Sequence, residues 1–123
     1  MNYLWVFVGG GIGSAARYGL SAAALRLGWT AFPYATLLTN VGGCFLMGLL
    51  TELLALKLSL PQAARLFLTT GLLGGFTTFS TYTLEVALFL EQGRPAPALA
   101  YFLLSAALGL GALFAGMAWA RAM

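Results

Sequence analysis

Five of the seven residues from Thr77 to Thr83 are serine or threonine, inside the stretch GLLGGFTTFSTYTLE at residues 71–85. They sit within a long apolar run. Glu85 follows in the same run, and Arg17 and Asn40 lie well inside two others. Tyr101 and Ser105 are four apart and so share one face of a helix. Hydroxyls, an amide and a guanidinium are hydrogen-bond donors suited to replacing the water around a small ion. They are poorly suited to bond-making. Histidine and aspartate are absent and Cys44 is the only cysteine, which leaves no His/Cys metal cluster, no Ser-His-Asp triad and no internal disulfide. No enzyme reading has support, and Cys44 reads as a small buried apolar residue.

The rest of the chain explains where these groups must sit. Of 123 residues 61% are hydrophobic and 7% charged, with mean hydropathy +0.92. Soluble domains carry about 25% charged residues, so the chain reads as an integral membrane protein. A span needs about 20 apolar residues. Four runs qualify, at roughly residues 4–25, 34–56, 65–90 and 97–120. The breaks RLGWTAFP, KLSLPQ and EQGRPAP carry the glycines and prolines of turns. The expected fold is all-α, a single four-span bundle over residues 1–123, with the first run serving as a membrane span and not a cleaved signal. Thr36, Thr51 and Ser21 are expected to bond back to their own helices.

With Arg17 set inside the membrane, Lys57, Arg65 and Arg121 fall on one side, and Arg26 and Arg94 on the other. Orientation follows the Lys/Arg bias of loops, and this bias is nearly balanced. The consequence is insertion both ways up and an antiparallel homodimer; a single orientation fixed by Lys57 and Arg65 is the other reading. The net charge of +3 bears on topology and not on nucleic acid. Gly9–Gly13 and Gly71–Gly75 have the spacing of closely packed membrane helices, within the bundle and against a partner.

Gly74-Gly75 precedes the hydroxyl cluster and weakens a helix there. One reading is a third span interrupted at the glycines, its freed carbonyls serving as hard oxygen ligands for a small cation. The restarting half-helix would point its N–H groups at the break. The other is a glycine kink packed on a neighbour, with the hydroxyls capping loose ends. Phe79 and Tyr82 share a face with the hydroxyls. The electropositive edges of their rings, with donors from Asn40, Ser80, Thr81 and Ser105, suit an anion path; Phe76 reads as packing.

GGFTTFSTYTLE in the third run, TLLTNVGGCF in the second and GGGIGSAARY in the first resemble the small bacterial fluoride channels of the Fluc (CrcB-type) family, and the likeness covers the whole chain. The resemblance implies an antiparallel dual-topology homodimer in the cytoplasmic (inner) membrane, with two fluoride pores and a central structural sodium ion. By motif position, sodium would take the backbone carbonyls of Gly74 and Thr77. The ion pathway would comprise Asn40, the aromatic pair Phe79 and Tyr82, and the hydroxyls of Ser80, Thr81, Thr83, Tyr101 and Ser105. Arg17 and Glu85 would be the supporting charges. Tyr82 stands where the family typically has phenylalanine, and Gly109 where some members have serine. Two other classes compete. A proton-coupled exporter like the small multidrug resistance proteins would need Glu85 as its acid, since the first span offers only Arg17. A non-conducting assembly subunit would leave the hydroxyl cluster unexplained.

Overall fold

Long apolar runs closed by glycine and proline give helices that stop where the left-handed backbone is cheapest. A computed structural model describes residues 1–29 and 32–123. Helix α1 (Asn2–Arg26) ends at Gly28, φ +80°, with Trp29 N–H reaching back to the Ala24 carbonyl at 2.9 Å. Helix α4 (Phe79–Glu91) ends the same way, with Gly93 at φ +72° and Arg94 N–H on the Phe89 carbonyl at 2.9 Å. Both are glycine caps of the kind that satisfy the last carbonyls of a helix. Helix α2 (Tyr34–Leu56) follows Pro33, and α5 (Pro95–Ala122) starts on a proline, a residue with no N–H to waste in a first turn.

The third run is composite. Helix α3 (Gln62–Leu66) widens into a π-helix over Phe67–Leu73, returns to one α-turn at Gly74–Phe76, and stops. Thr77 and Thr78 are extended, at φ/ψ −87°/157° and −150°/125°, before α4 begins. The departure from helix is therefore two residues beyond the paired glycines that were expected to cause it: Gly74 itself is helical, at φ/ψ −62°/−38°. Its neighbour has a different reason to be glycine. A Cβ on Gly75 would strike the Gly10 backbone of α1, and one on Gly9 would come within 2.9 Å of Leu72 N. The glycines bring α1 and the third run into backbone contact; the threonines end the helix.

The same device joins α2 to α5. A Cβ on Gly48 would overlap the Leu113 backbone, and one on Gly116 the backbone of Phe45 and Leu49. Arg121 Nη2 and Glu52 Oε2, 3.2 Å apart, tie the far ends of these helices.

No strand occurs among the described residues. Apart from Leu73, the buried set is small or aromatic: Ala24, Ala98 and Ala120, the tightly packed glycines, Thr36 and Thr39, and Tyr82, Phe89 and Tyr101. The bulky aliphatic and aromatic residues point outward, among them Phe7, Leu20, Leu103, Leu110 and Phe114. In water so continuous an apolar surface would drive aggregation. Small residues inside and large ones outside is the packing of helices whose solvent is hydrocarbon. Helices α2 and α5 are each long and apolar enough to cross a membrane, at roughly 1.5 Å per residue against a core about 30 Å thick.

Candidate functional site

Two extended residues within an apolar bundle create a problem of unmet hydrogen bonds. Breaking the helix frees N–H and carbonyl groups that have no water to turn to at membrane depth. Asn40, a turn and a half into α2, answers it. Thr78 N–H donates to Asn40 Oδ1 at 2.7 Å, and Asn40 Nδ2 donates to the Thr78 carbonyl at 3.0 Å. One carboxamide thus pairs with both backbone groups of one residue, as a neighbouring strand would. Thr78 also caps α4: its Oγ1 accepts from Thr81 N–H at 3.2 Å, the ordinary N-cap bond.

These diversions leave two carbonyls without their helical partners. The donor that would serve Gly74 is Thr78 N–H, now spent on Asn40. The donor for Thr77 is Thr81 N–H, now spent on the Thr78 hydroxyl. Among the described residues neither carbonyl accepts another hydrogen bond. Gly75 differs: its carbonyl accepts from Arg17 Nε at 3.3 Å and from Ser14 Oγ at 3.5 Å. Arg17, half-buried on α1, therefore reads as a clamp on the last turn before the break.

An open cavity of about 470 Å³ lies against this point, lined by Asn40, Thr77, Thr78, Phe79, Tyr82 and Ser105 among others. Four residues expected on an ion path are brought together here: Asn40, Phe79, Tyr82 and Ser105. The Phe79 and Tyr82 ring centres are 5.9 Å apart. Phe79 is 76% exposed, while Tyr82 is buried. The Tyr82 hydroxyl turns away to donate to the Phe102 carbonyl at 2.6 Å, and its ring stacks on Phe102 at 7°. The tyrosine thus lines the cavity with its ring and spends its proton internally. Ser105 Oγ is buried and has no partner among the described residues. Cys44 also lines the cavity, and a Cβ on Gly109 would meet its sulfur at 3.5 Å.

The remaining hydroxyls disperse. Ser80 is exposed, its hydroxyl 3.4 Å from that of Thr78. Thr81 contributes its backbone N–H to the cap. Thr83 is exposed and bonds back to the Phe79 carbonyl at 2.9 Å, as isolated threonines on helices do. Tyr101 is fully buried and donates to Glu85 Oε1 at 2.8 Å.

Thr36 corrects the sequence reading. It was expected to bond back to its own helix, yet its Oγ1 donates to Glu85 Oε2 at 3.1 Å. Both oxygens of Glu85 are therefore held, by Tyr101 of α5 and Thr36 of α2. The spacing of Thr36, Thr39 and Asn40 carried the signal, since positions i, i+3 and i+4 share one helix face. Thr78, the residue that Asn40 serves, was not set apart from its fellow threonines by sequence. Phe102, the acceptor for Tyr82, is a backbone partner with no sequence mark.

Residues 4–117 match the model of the family described as CrcB-like protein, Camphor Resistance (CrcB). The chain belongs to the CrcB-like family. It is 48% identical, over its full length and 97% of the relative's, to the protein named fluoride-specific ion channel FluC from Granulibacter bethesdensis. A protein of the same name from Methylobacterium nodulans is 50% identical over 121 residues, 98% of this chain and 97% of that one. A third, from Chelativorans sp., is 49% identical over 122 residues, 99% and 98% of the two chains. CrcB-like membership and outward-facing apolar helices together make this a membrane protein.

Proposed function

We propose that the chain forms a fluoride-selective ion channel, passive and not enzymatic, in the cytoplasmic membrane. Full-length similarity to proteins named as fluoride channels supports the ion. The observation that carries the site is the double hydrogen bond between Asn40 and Thr78 beside the Phe79 ring. It fixes a helix start, an amide and two aromatic edges around one cavity. Fluoride is small and strongly hydrated, so shedding water is the main obstacle to its passage. Fixed donors and positive ring edges offset that cost without reorganising. Fluoride accumulated in the cell would run outward down its gradient, lowering the cytoplasmic level.

Phe79, Ser80 and Thr83 are exposed on one chain, and a second copy inserted the opposite way up would cover them. That is the antiparallel homodimer, four spans to each chain, with an ion path along each side of the shared face. The Gly74 and Thr77 carbonyls, stripped of helical donors, are hard neutral oxygens that fit a sodium ion. When bound, sodium would supply positive charge between the two copies.

The deciding experiment is efflux from liposomes carrying the pure protein, read by a fluoride electrode. Fluoride release with little chloride leak is expected. Equal release of both ions, or none of either, would overturn the assignment.

A further inference from the structure

A second cavity, of about 280 Å³, opens at the end of the bundle where α1 and α4 finish and α2 and α5 begin. Trp29, Phe32, Pro33 and Phe89 form its apolar walls, and its charged members are Glu85 and Arg94. Arg94 is held over it by two features. Its backbone N–H is tied to the Phe89 carbonyl at 2.9 Å, and its guanidinium carbon stands 5.0 Å from the centre of the Phe89 ring. The side chain is exposed, and the ring face gives its cation a preferred seat at the cavity. Among the described residues no carboxylate lies within ion-pair distance of it. Glu85 lines the same cavity with both oxygens already committed, to Tyr101 and Thr36. The other charges at this end, Arg26 and Glu91, are exposed like Arg94 but do not line it.

We infer that Arg94 gathers fluoride into this cavity, making it an entry chamber at this end of the bundle. This rests on the channel reading above. A carboxylate at the inner wall repels an arriving anion, and the guanidinium offsets that field while leaving its donors available to the ion. A cleft with low-dielectric walls focuses such a charge and raises the local concentration of its counter-ion. The role is one of capture, so it governs occupancy at low fluoride and not the limiting flux.

The test is fluoride current through the full-length protein in planar bilayers, over a range of fluoride concentrations, for Arg94→Lys, Arg94→Gln and Arg94→Glu. The half-saturating concentration is expected to stay near the parent value for Lys and to rise roughly tenfold for Gln. It should rise further for Glu, with the limiting current kept throughout. An impermeant salt that screens exposed charge should shrink the difference. If all three variants saturate where the parent does, Arg94 gathers nothing. If Lys loses limiting current as fully as Gln does, Arg94 is only packing on Phe89, and the inference falls. A parent protein that passes chloride freely, or no fluoride, removes the channel reading first and this inference with it.

Discussion

Asn40 and Thr78 hold each other by two hydrogen bonds, 2.7 and 3.0 Å long, so that one side chain of α2 serves both backbone groups of the residue that starts α4. Asn40→Asp keeps the acceptor for Thr78 N–H but removes the donor to its carbonyl and adds a negative charge beside the cavity. Fluoride efflux should fall by at least tenfold. Asn40→Leu loses both bonds and leaves two backbone groups unmet, at about 1–3 kcal/mol each. Its melting temperature in detergent should drop well below that of the aspartate variant. Normal efflux from Asn40→Leu would remove the clamp from the conducting site.

Phe79 and Tyr82 share a cavity but not a role. Phe79→Ile replaces a ring edge with an aliphatic group of similar bulk, and electrode-recorded efflux should nearly vanish. Tyr82→Phe keeps the ring and loses only the bond to the Phe102 carbonyl. It should conduct at close to the parent rate and lose about 1 kcal/mol of stability.

Glu85 offers a cleaner pairwise test. Tyr101→Phe and Thr36→Val each take one donor from a carboxylate held by both, and bonds to a charged group are worth about 1.5–3 kcal/mol. Each single change should lower thermal stability, and Thr36→Ser should restore it. The double variant should lose less than the sum of the two, since the partners share one acceptor.

The glycines of α5 separate close packing from mere flexibility. Gly116→Ala puts a methyl into the backbone of α2 and should cost about 1–3 kcal/mol, visible as earlier thermal aggregation. Gly111, with nothing within 4 Å of a Cβ, should accept alanine at no cost to melting temperature or slightly raise it.

Sodium content checks the bared carbonyls. In the proposed dimer, two from each chain would make a four-oxygen cage, so elemental analysis of extensively desalted protein should find about one sodium per two chains. Less than a tenth of that would exclude a resident ion at Gly74 and Thr77.

Helix number and approximate limits were legible because long apolar runs and their glycine and proline breaks are local signals. The run expected at 97–120 begins two residues earlier, at Pro95, since a proline is welcome in a first turn. The run expected at 65–90 hides the π-helix Phe67–Leu73, which has no composition of its own. Gly74-Gly75 suggested a weak point by propensity. Tertiary packing overrode it, for Gly75 is small to admit Gly10 and the turn stays helical. Asn40, Phe79, Tyr82 and Ser105 were recognisable as polar or aromatic groups in costly places. Which donor serves which acceptor was not, because Thr36 to Glu85 and Tyr82 to Phe102 depend on how the helices are set against each other.

The Asn40–Thr78 pairing also constrains how the chain is made. Alone in lipid, the segment from Gln62 to Glu91 would expose the bare N–H and carbonyl of Thr78, each costing several kcal/mol. It cannot settle there as an independent unit. During synthesis it must wait for, or enter together with, the preceding hairpin arm that brings the carboxamide, so partition from the translocon into the bilayer is a paired event and not four separate ones.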